Sequence, residues 1–332
     1  MMSITLILTV WGYADMPELP EVEVTKQDLY SMILESEVGT ESKTIAKVLP
    51  YTKEFFTAKT NPRNNKKDFL AQILKYDDRR KELENSKITS IYRIAKYIII
   101  STDASLHFVI HLGMSATVYS IIATPNDRKL IESGGGLEFL DFLNSSTDRV
   151  FARHHHTGFL LKDGRIFLFH DVRRFGEWAV LTDDELNKFK DGFGSSWDPH
   201  LSNFDSKSLI EFINNHPQKT TRKWNQSNMG LLSFIGKSGA IKGCGAIYSR
   251  EVVFASGLDP STPISSLKEY DWINLANSMQ TVLSESISDG GTAFNSKDTD
   301  DADSVRSRGD FVRPSGQLSR YQEKLKSYKK KH

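Results

Sequence analysis

The chain has 332 residues, 39% of them hydrophobic and 26% charged, with a formal net charge of +1. That length is enough for two domains with separate cores. The lone Cys244 excludes an intramolecular disulfide and any multi-cysteine zinc site, in keeping with a reducing compartment, and no apolar run approaches the roughly 18 residues of a membrane-spanning helix.

Residues 1–15 hold a short apolar run, Ile4–Trp11, with no Lys or Arg before it, a poor signal peptide. They read either as an extension or as an upstream start assigned in error. From Glu18 to Glu35, Val22, Leu29, Ile33 and Leu34 fall near helical spacing, with Pro20 in the opening turn and Gly39 as a stop. Strands are then expected at Ile88–Tyr92, Tyr97–Ser101, Phe108–His111, Gly158–Leu161, Ile166–His170 and Trp178–Leu181, punctuated by Asp163-Gly164. Lys59–Lys67 and Ser120–Gly136 are polar or glycine-rich and read as loops. His154-His155-His156 resembles a metal cluster, but neighbouring strand residues face opposite sides and do not converge, so no metal is expected.

The period changes near Ser206, where Leu209, Phe212 and Ile213 open a helical half. Ile247–Ser256 reads as a helix closed by Gly257, with Pro260 just beyond. Ser266 and Glu269 have capping-box spacing ahead of a last helix carrying Ile273, Ala276, Val282 and Leu283. Gly236 to Gly245 is a four-glycine loop leading into the Ile247 helix. Residues 296–308 are charged, almost without apolar side chains, and read as disordered; the tail from Ser319 reads as a short basic helix. The expected fold is α+β: a β-sandwich with a leading helix over residues 16–195, a linker at 196–205, a helical domain at 206–295 and a basic tail at 311–332. Charge is unevenly spread. Asn214 to Arg250 carries six basic residues and no acidic one, and Arg306 to His332 carries nine Lys or Arg against Asp310 and Glu323. Two such segments suit a phosphate-binding face, although a solvated surface has the same composition.

Five segments in order carry a more specific signal: Met16-Pro17-Glu18-Leu19-Pro20-Glu21-Val22-Glu23, Ala95-Lys96-Tyr97, His111-Leu112-Gly113-Met114-Ser115, Asp171-Val172-Arg173-Arg174-Phe175-Gly176, and Gly243-Cys244-Gly245-Ala246-Ile247-Tyr248-Ser249-Arg250-Glu251. Taken singly, Lys96 reads as a surface lysine, His111 as a core histidine and Asp171–Gly176 as a plain turn. Together and in this order they resemble the formamidopyrimidine-DNA glycosylase / endonuclease VIII family, from Met16 to about Lys331. Gly290-Gly291-Thr292 and Tyr321-Gln322 continue the match.

The resemblance implies a bifunctional glycosylase and abasic-site lyase of base excision repair. Such an enzyme is monomeric, needs no cofactor, and acts on duplex DNA with oxidised bases or abasic sites. A base inside a duplex is unreachable, so the nucleotide is flipped out at a cost of a few kcal/mol. Met114, Arg173 and Phe175 match the side chains that fill the gap, and Met and Phe suit a wedge between base steps. Pro17 matches the nucleophile. It attacks C1′ and gives a cationic iminium, an electron sink for β- and δ-elimination. Glu18 matches the general acid, Glu21 the group orienting the terminus, and Lys96 the phosphate-binding lysine that keeps the amine less protonated. His111, Lys219, Lys242, Gly243 and Gly245 are the further DNA-binding candidates, the glycine loop and the helix after it holding phosphate through N–H groups.

Three departures bear on this. Fifteen residues precede Met16, and a proline inside a chain is a tertiary amide without a nucleophilic lone pair, so the chemistry requires a start at Met16 or proteolysis. Ala246 stands where the family has a phosphate-gripping asparagine. The sequence ends at His332 without the family's usual zinc-binding finger, as in zinc-less plant and fungal relatives, which points to a nuclear protein, or a cytoplasmic one in a prokaryote. Residues 293–310 are unlike a lesion-gripping loop, which favours abasic sites and hydantoin-type lesions over 8-oxoguanine. The alternative is a non-catalytic paralogue that binds damaged or bent DNA. An RNA-binding module sharing only the helical element leaves the first 180 residues unexplained.

Overall fold

The computed structural model describes residues 17–36, 39–60, 73–145, 153–193, 198–199, 205–215, 229–237, 240–292, 313–315, 317, 319, 321 and 324–327. Residues 1–15, Lys219 and the segment 296–308 lie outside them.

Two four-stranded antiparallel sheets form the first half. With β1 at Ile45–Val48, β5 at Ala116–Ile122, β6 at His155–Leu161 and β7 at Arg165–Asp171, one sheet runs in the order β1-β6-β7-β5. The other runs β2-β3-β4-β8, from Ile88–Ile94, Tyr97–Thr102, Leu106–His111 and Glu177–Thr182. All six strands expected from sequence are present. Alternation sets the layers, because successive side chains in a strand leave on opposite faces. Ile98, Ile100, Phe108, Phe159, Phe167, Phe169, Trp178 and Val180 point between the sheets and form the main core. Ile99, Val109 and Leu181 cover the outer face of the second sheet with Leu186.

The expected loop over 120–136 is corrected. β5 runs on to Ile122, and a helix begins at Pro125 (α4, Pro125–Glu132), with another over Gly136–Ser145 (α5). Thr124 Oγ accepts from the Asp127 N–H at 3.1 Å while Asp127 accepts from the Thr124 N–H at 3.1 Å. Proline at the first helical position completes a helix start that outweighs the glycines behind it. Ile131, Phe139, Leu140 and Leu143 then cover Tyr119, Leu160 and Leu168 on the outer sheet face. Lys59, also read as loop, ends a helix (α2, Lys53–Thr60), with a further helix α3 at Tyr76–Glu82 and α6 at Asp183–Asp191.

The second half is helical: α7 (Ser206–Asn215), α8 (Leu231–Lys237), α9 (Ala246–Ser256) and α10 (Glu269–Ser288) surround a core of Leu209, Phe234, Ile247, Val252, Leu275 and Met279. Gly257 closes α9 with φ +68°, as expected. Gly236 belongs to α8 rather than to the glycine loop. The α10 start is corrected too: Lys268 precedes the helix and its N–H donates to Asp271, while Ser266 sits in a preceding 3-10 turn. The leading helix α1 (Leu19–Leu34) joins the halves. Val22, Leu29 and Ile33 enter the sandwich core, whereas Leu19 enters the helical core.

The tail is not the expected helix where it is described: Lys324 to Ser327 make a turn and a bend. It is tied down by polar contacts instead. Arg313 and Ser315 bond Asp28 on α1, the Tyr321 N–H donates to the Gly291 carbonyl at 2.9 Å, and buried Glu251 accepts from the N–H groups of Lys326 and Ser327 at 2.9 and 2.8 Å.

Candidate active site

Pro17 and Glu18 lead into α1 where the sandwich meets the helical half, and both are buried. The Leu19 N–H donates to the Gly243 carbonyl at 3.0 Å, which anchors this end of α1 to the turn before α9. The Glu18 carboxylate then lies on the amino terminus of α9. It accepts from the N–H of Gly245, from Ile247 at 3.0 Å and from Tyr248 at 3.3 Å. A helix end leaves such donors without partners of its own and favours an anion, so a residue of the first half caps a helix of the second. Gly245 permits the approach: a methyl there would lie 2.4 Å from Glu18 Oε1 and 2.9 Å from Lys96 Nζ. Burial pushes the Glu18 carboxyl above its ordinary range, against the pull of the Lys96 ammonium and of the helix N–H groups.

Glu21 faces the other way and is fully satisfied. It accepts from the Glu18 N–H at 2.8 Å, from the Tyr248 hydroxyl at 2.6 Å, and from the N–H and hydroxyl of Thr292 at 2.8 and 2.9 Å. Tyr248 is stacked on Tyr321 of the tail, with ring centroids 6.0 Å apart. Burial raises the Tyr248 hydroxyl well above the usual tyrosine range, so it stays a donor.

Lys96 arrives on the two-residue turn between β2 and β3, where Ala95 has φ +53°. That strained turn is braced by groups the sequence did not single out. Asp198 accepts from the Ala95 N–H at 3.0 Å and from Arg93 at 2.7 Å, and Arg93 also reaches Glu23 at 2.9 Å and the Ala95 carbonyl at 2.8 Å. Tyr97 carries the contact onward, its ring 4.7 Å from His111 and 5.9 Å from Phe193, over whose ring the Lys242 ammonium lies at 5.2 Å. Burial lowers the Lys242 pKa.

A second group forms where the loop after β4 meets the turn between β7 and β8. Asp171, fully buried, accepts from Ser115 Oγ at 2.6 Å and from the Gly176 N–H at 2.7 Å, while Ser115 Oγ accepts from the Arg173 N–H at 3.0 Å. Gly113, at φ +59°, has no room for a Cβ, which would lie 2.5 Å from the Phe175 carbonyl carbon. Met114 is partly exposed, Arg173 exposed, and Phe175 54% exposed, high for a phenylalanine on so fixed a turn.

Pro17, Glu18, Glu21, Lys96, Gly243 and Gly245 are therefore gathered at the junction of the halves, His111 ends β4, and Met114, Arg173 and Phe175 lie on the adjoining loops. The N–H groups of Gly245, Ile247 and Tyr248 donate to Glu18. Ala246, half-buried in the same first turn, offers no side-chain donor. Tyr248 and Thr292 sat inside quoted segments, but nothing local marked Glu21 as their partner more than 220 positions away. The histidines make strand contacts, as expected: His156 bonds Thr52 and the Asp171 carbonyl, and burial lowers it to about 4. Among the described residues no group of His, Cys, Asp or Glu is arranged to hold a metal.

Comparison with known proteins places this geometry. The chain matches the formamidopyrimidine-DNA glycosylase N-terminal domain over residues 16–178. Formamidopyrimidine-DNA glycosylase of Vibrio atlanticus is 28% identical over 281 residues, 84% of this chain and 81% of that protein. The Histophilus somni protein of the same name is 27% identical over 316 residues, 94% and 88% of the two chains. In fold, the chain is similar to Lactococcus lactis Fpg in complex with abasic-site DNA, with a TM-score of 0.60, 21% identity, and 93% and 86% coverage. It is equally similar to that protein in complex with DNA containing an oxidised pyrimidine, with a TM-score of 0.59 and 22% identity.

Proposed function

Since the chain belongs to the formamidopyrimidine-DNA glycosylase family, we propose that it is a DNA glycosylase of base excision repair. Its substrate is duplex DNA containing oxidised bases or abasic sites, and it cuts the strand as an abasic-site lyase. The observation that carries this reading is the buried Glu18 carboxyl next to Pro17, held by backbone donors beside the Lys96 ammonium.

The chemistry follows from these groups. Pro17 nitrogen, once it is a free secondary amine with a pKa near the roughly 7.7–8.0 of an α-amino group, donates its lone pair to C1′. With a base present the C1′–N bond breaks, the base leaves with a proton from solvent, and C1′–O4′ then opens. At an abasic sugar C1′–O4′ opens and the C1′ hydroxyl leaves as water, so that the nitrogen lone pair forms the iminium in either case. Glu18, whose carboxyl burial raises above its ordinary range, gives its proton to the ring oxygen. The resulting iminium draws electrons as a C2′ proton leaves, and the C3′–O bond breaks with loss of one phosphate. Repetition at C4′ and C5′ releases the other, and water then frees the amine. Lys96 disfavours protonation of the amine by like charge. Glu21 fixes the Glu18 N–H and hence the start of α1.

On this reading Arg173 and Phe175, with Met114, enter the gap left by the flipped nucleotide, and the 171–176 turn is an insertion turn. The elements α8 and α9 with their glycine turn form the helix–two-turns–helix element, and Lys242 contributes a cation to the DNA face. The named relatives are bacterial, which favours the cytoplasm and gives a nuclear address no support.

The reading is tested by incubating protein beginning at Pro17, and protein beginning at Met1, with a duplex carrying an abasic site in the presence of borohydride. A reduced covalent complex from the Pro17 form alone is expected. Lesion binding without a complex from either form would replace catalysis with a binding role.

A further inference from the structure

The insertion turn is held from two sides, and only one of them was legible in the sequence. On the sandwich side Asp171 and Ser115 fix the N–H groups of Gly176 and Arg173. On the other side, at the end of α2, the Lys59 ammonium donates to the Arg174 carbonyl at 2.8 Å. That carbonyl belongs to the peptide bond joining Arg174 to Phe175, so its orientation sets the direction in which the Phe175 ring leaves the turn. Arg174 has φ +58°, a left-handed conformation that costs a non-glycine residue about 1–3 kcal/mol and persists only where its surroundings impose it. The Lys59 ammonium lies 5.1 Å from the Phe55 ring centroid, and the Phe55 ring stacks on His156, which itself bonds the Asp171 carbonyl at 2.9 Å. Lysine and turn are thus fixed to the same patch of core.

Resting on the glycosylase reading above, we propose that Lys59 is a positioning residue for lesion capture: by gripping the Arg174 carbonyl it sets the Arg173 and Phe175 side chains in the attitude that fills the vacated base position. Burial lowers the Lys59 pKa against the pull of Asp171 and Glu177.

The test measures affinity for a duplex carrying a stable abasic-site analogue and for the undamaged duplex. The proteins compared are the parent, Lys59→Met, Lys59→Arg, Arg173→Ala with Phe175→Ala, and Lys59→Met combined with that pair. Methionine keeps the stem on Phe55 and removes the donor. Lys59→Met is expected to weaken lesion binding about tenfold, the loss of one charge-assisted hydrogen bond. Undamaged DNA should be bound as before, and Lys59→Arg should recover most of the loss. In the background lacking both inserted side chains, Lys59→Met should add less than about a twofold loss, because coupled groups do not add. A full further loss in that background, or an equal loss on undamaged DNA, would mean that Lys59 touches DNA directly and would overturn the positioning role. So would unaltered lesion binding. A parent protein that does not distinguish the two duplexes would instead refute the glycosylase reading, on which this role depends.

Discussion

The junction around Glu18 and the insertion turn around Phe175 are built in opposite ways. At the junction Glu18 and Glu21 are buried and hydrogen-bonded, and their carboxylates take partners from the other half of the chain: Glu18 to Gly245 and Ile247, Glu21 to Tyr248 and Thr292. At the turn the anchor is buried, but the working side chains stand in solvent, Phe175 at 54% exposure above an Asp171 with none. A buried carboxylate without partners is costly, so the junction is stable only when complete. The exposed ring gains burial only when something covers it. On the proposed reading the groups for the chemistry are set in advance, whereas recognition is completed by the partner.

Four experiments would break or sharpen that contrast. The largest effect is expected for Glu18→Gln in protein beginning at Pro17. The amide keeps one oxygen for the α9 donors, loses the second acceptor and cannot give a proton, so base excision should fall by roughly 10²–10⁴-fold, far beyond what the accompanying loss of stability explains. Activity kinetics beside thermal unfolding check this, and full activity would remove Glu18 from the reaction. Next, Tyr248→Phe deletes the hydroxyl that donates to Glu21 and contacts Ser286 Oγ, and leaves a buried carboxylate short of one partner. Destabilisation of about 1–3 kcal/mol is expected from denaturant unfolding, a loss the turn should not match.

Phe175→Ala should do the reverse. An exposed ring contributes within about 0.5 kcal/mol to stability, yet its loss should weaken binding of an abasic-site duplex about tenfold, since an inserted side chain compensates an unstacking cost of a few kcal/mol. A stability loss comparable to that of Tyr248→Phe would erase the contrast. The smallest effect lies away from both regions. Glu185 is lowered from 4.5 to about 2, with the Arg79 hydrogen bond, the Thr182 N–H and the Lys75 contact outweighing burial. A carboxyl depressed in the folded state contributes stability that is present above pH 4.5 and lost as the pH falls toward 2. The stability gap between the parent and Arg79→Met should therefore close across that window, while Glu18, shifted the other way, contributes no loss on acidification. Parallel stability curves down to pH 2 would show that Arg79 acts only through packing.

The contrast also explains what could be read from the sequence. Strand alternation and the helix of residues 19–34 were legible because each has its own period, and the site candidates were legible because the family signatures are contiguous. What stayed hidden was long-range or locally contradicted. Asp198 braces Lys96 from more than a hundred residues away, and neither site carries a pattern that names the other. Helix α4 follows a strand and runs into three glycines, so composition pointed to a loop while the Thr124–Asp127 cap and the outer-face apolar residues settled a helix. The partner of the Gly245 N–H was hidden for a related reason: it is the carboxyl of Glu18, 227 positions away.

The most direct test of the account is where the sugar becomes attached. Protein beginning at Pro17 would be trapped on abasic-site DNA with borohydride, digested, and the modified peptide sequenced by mass spectrometry. The account expects the reduced adduct on the nitrogen of Pro17, with Lys96 unmodified. An adduct on Lys96 or another lysine would show that the amine beside Glu18 is not the nucleophile and would contradict the assignment of the junction as the catalytic centre.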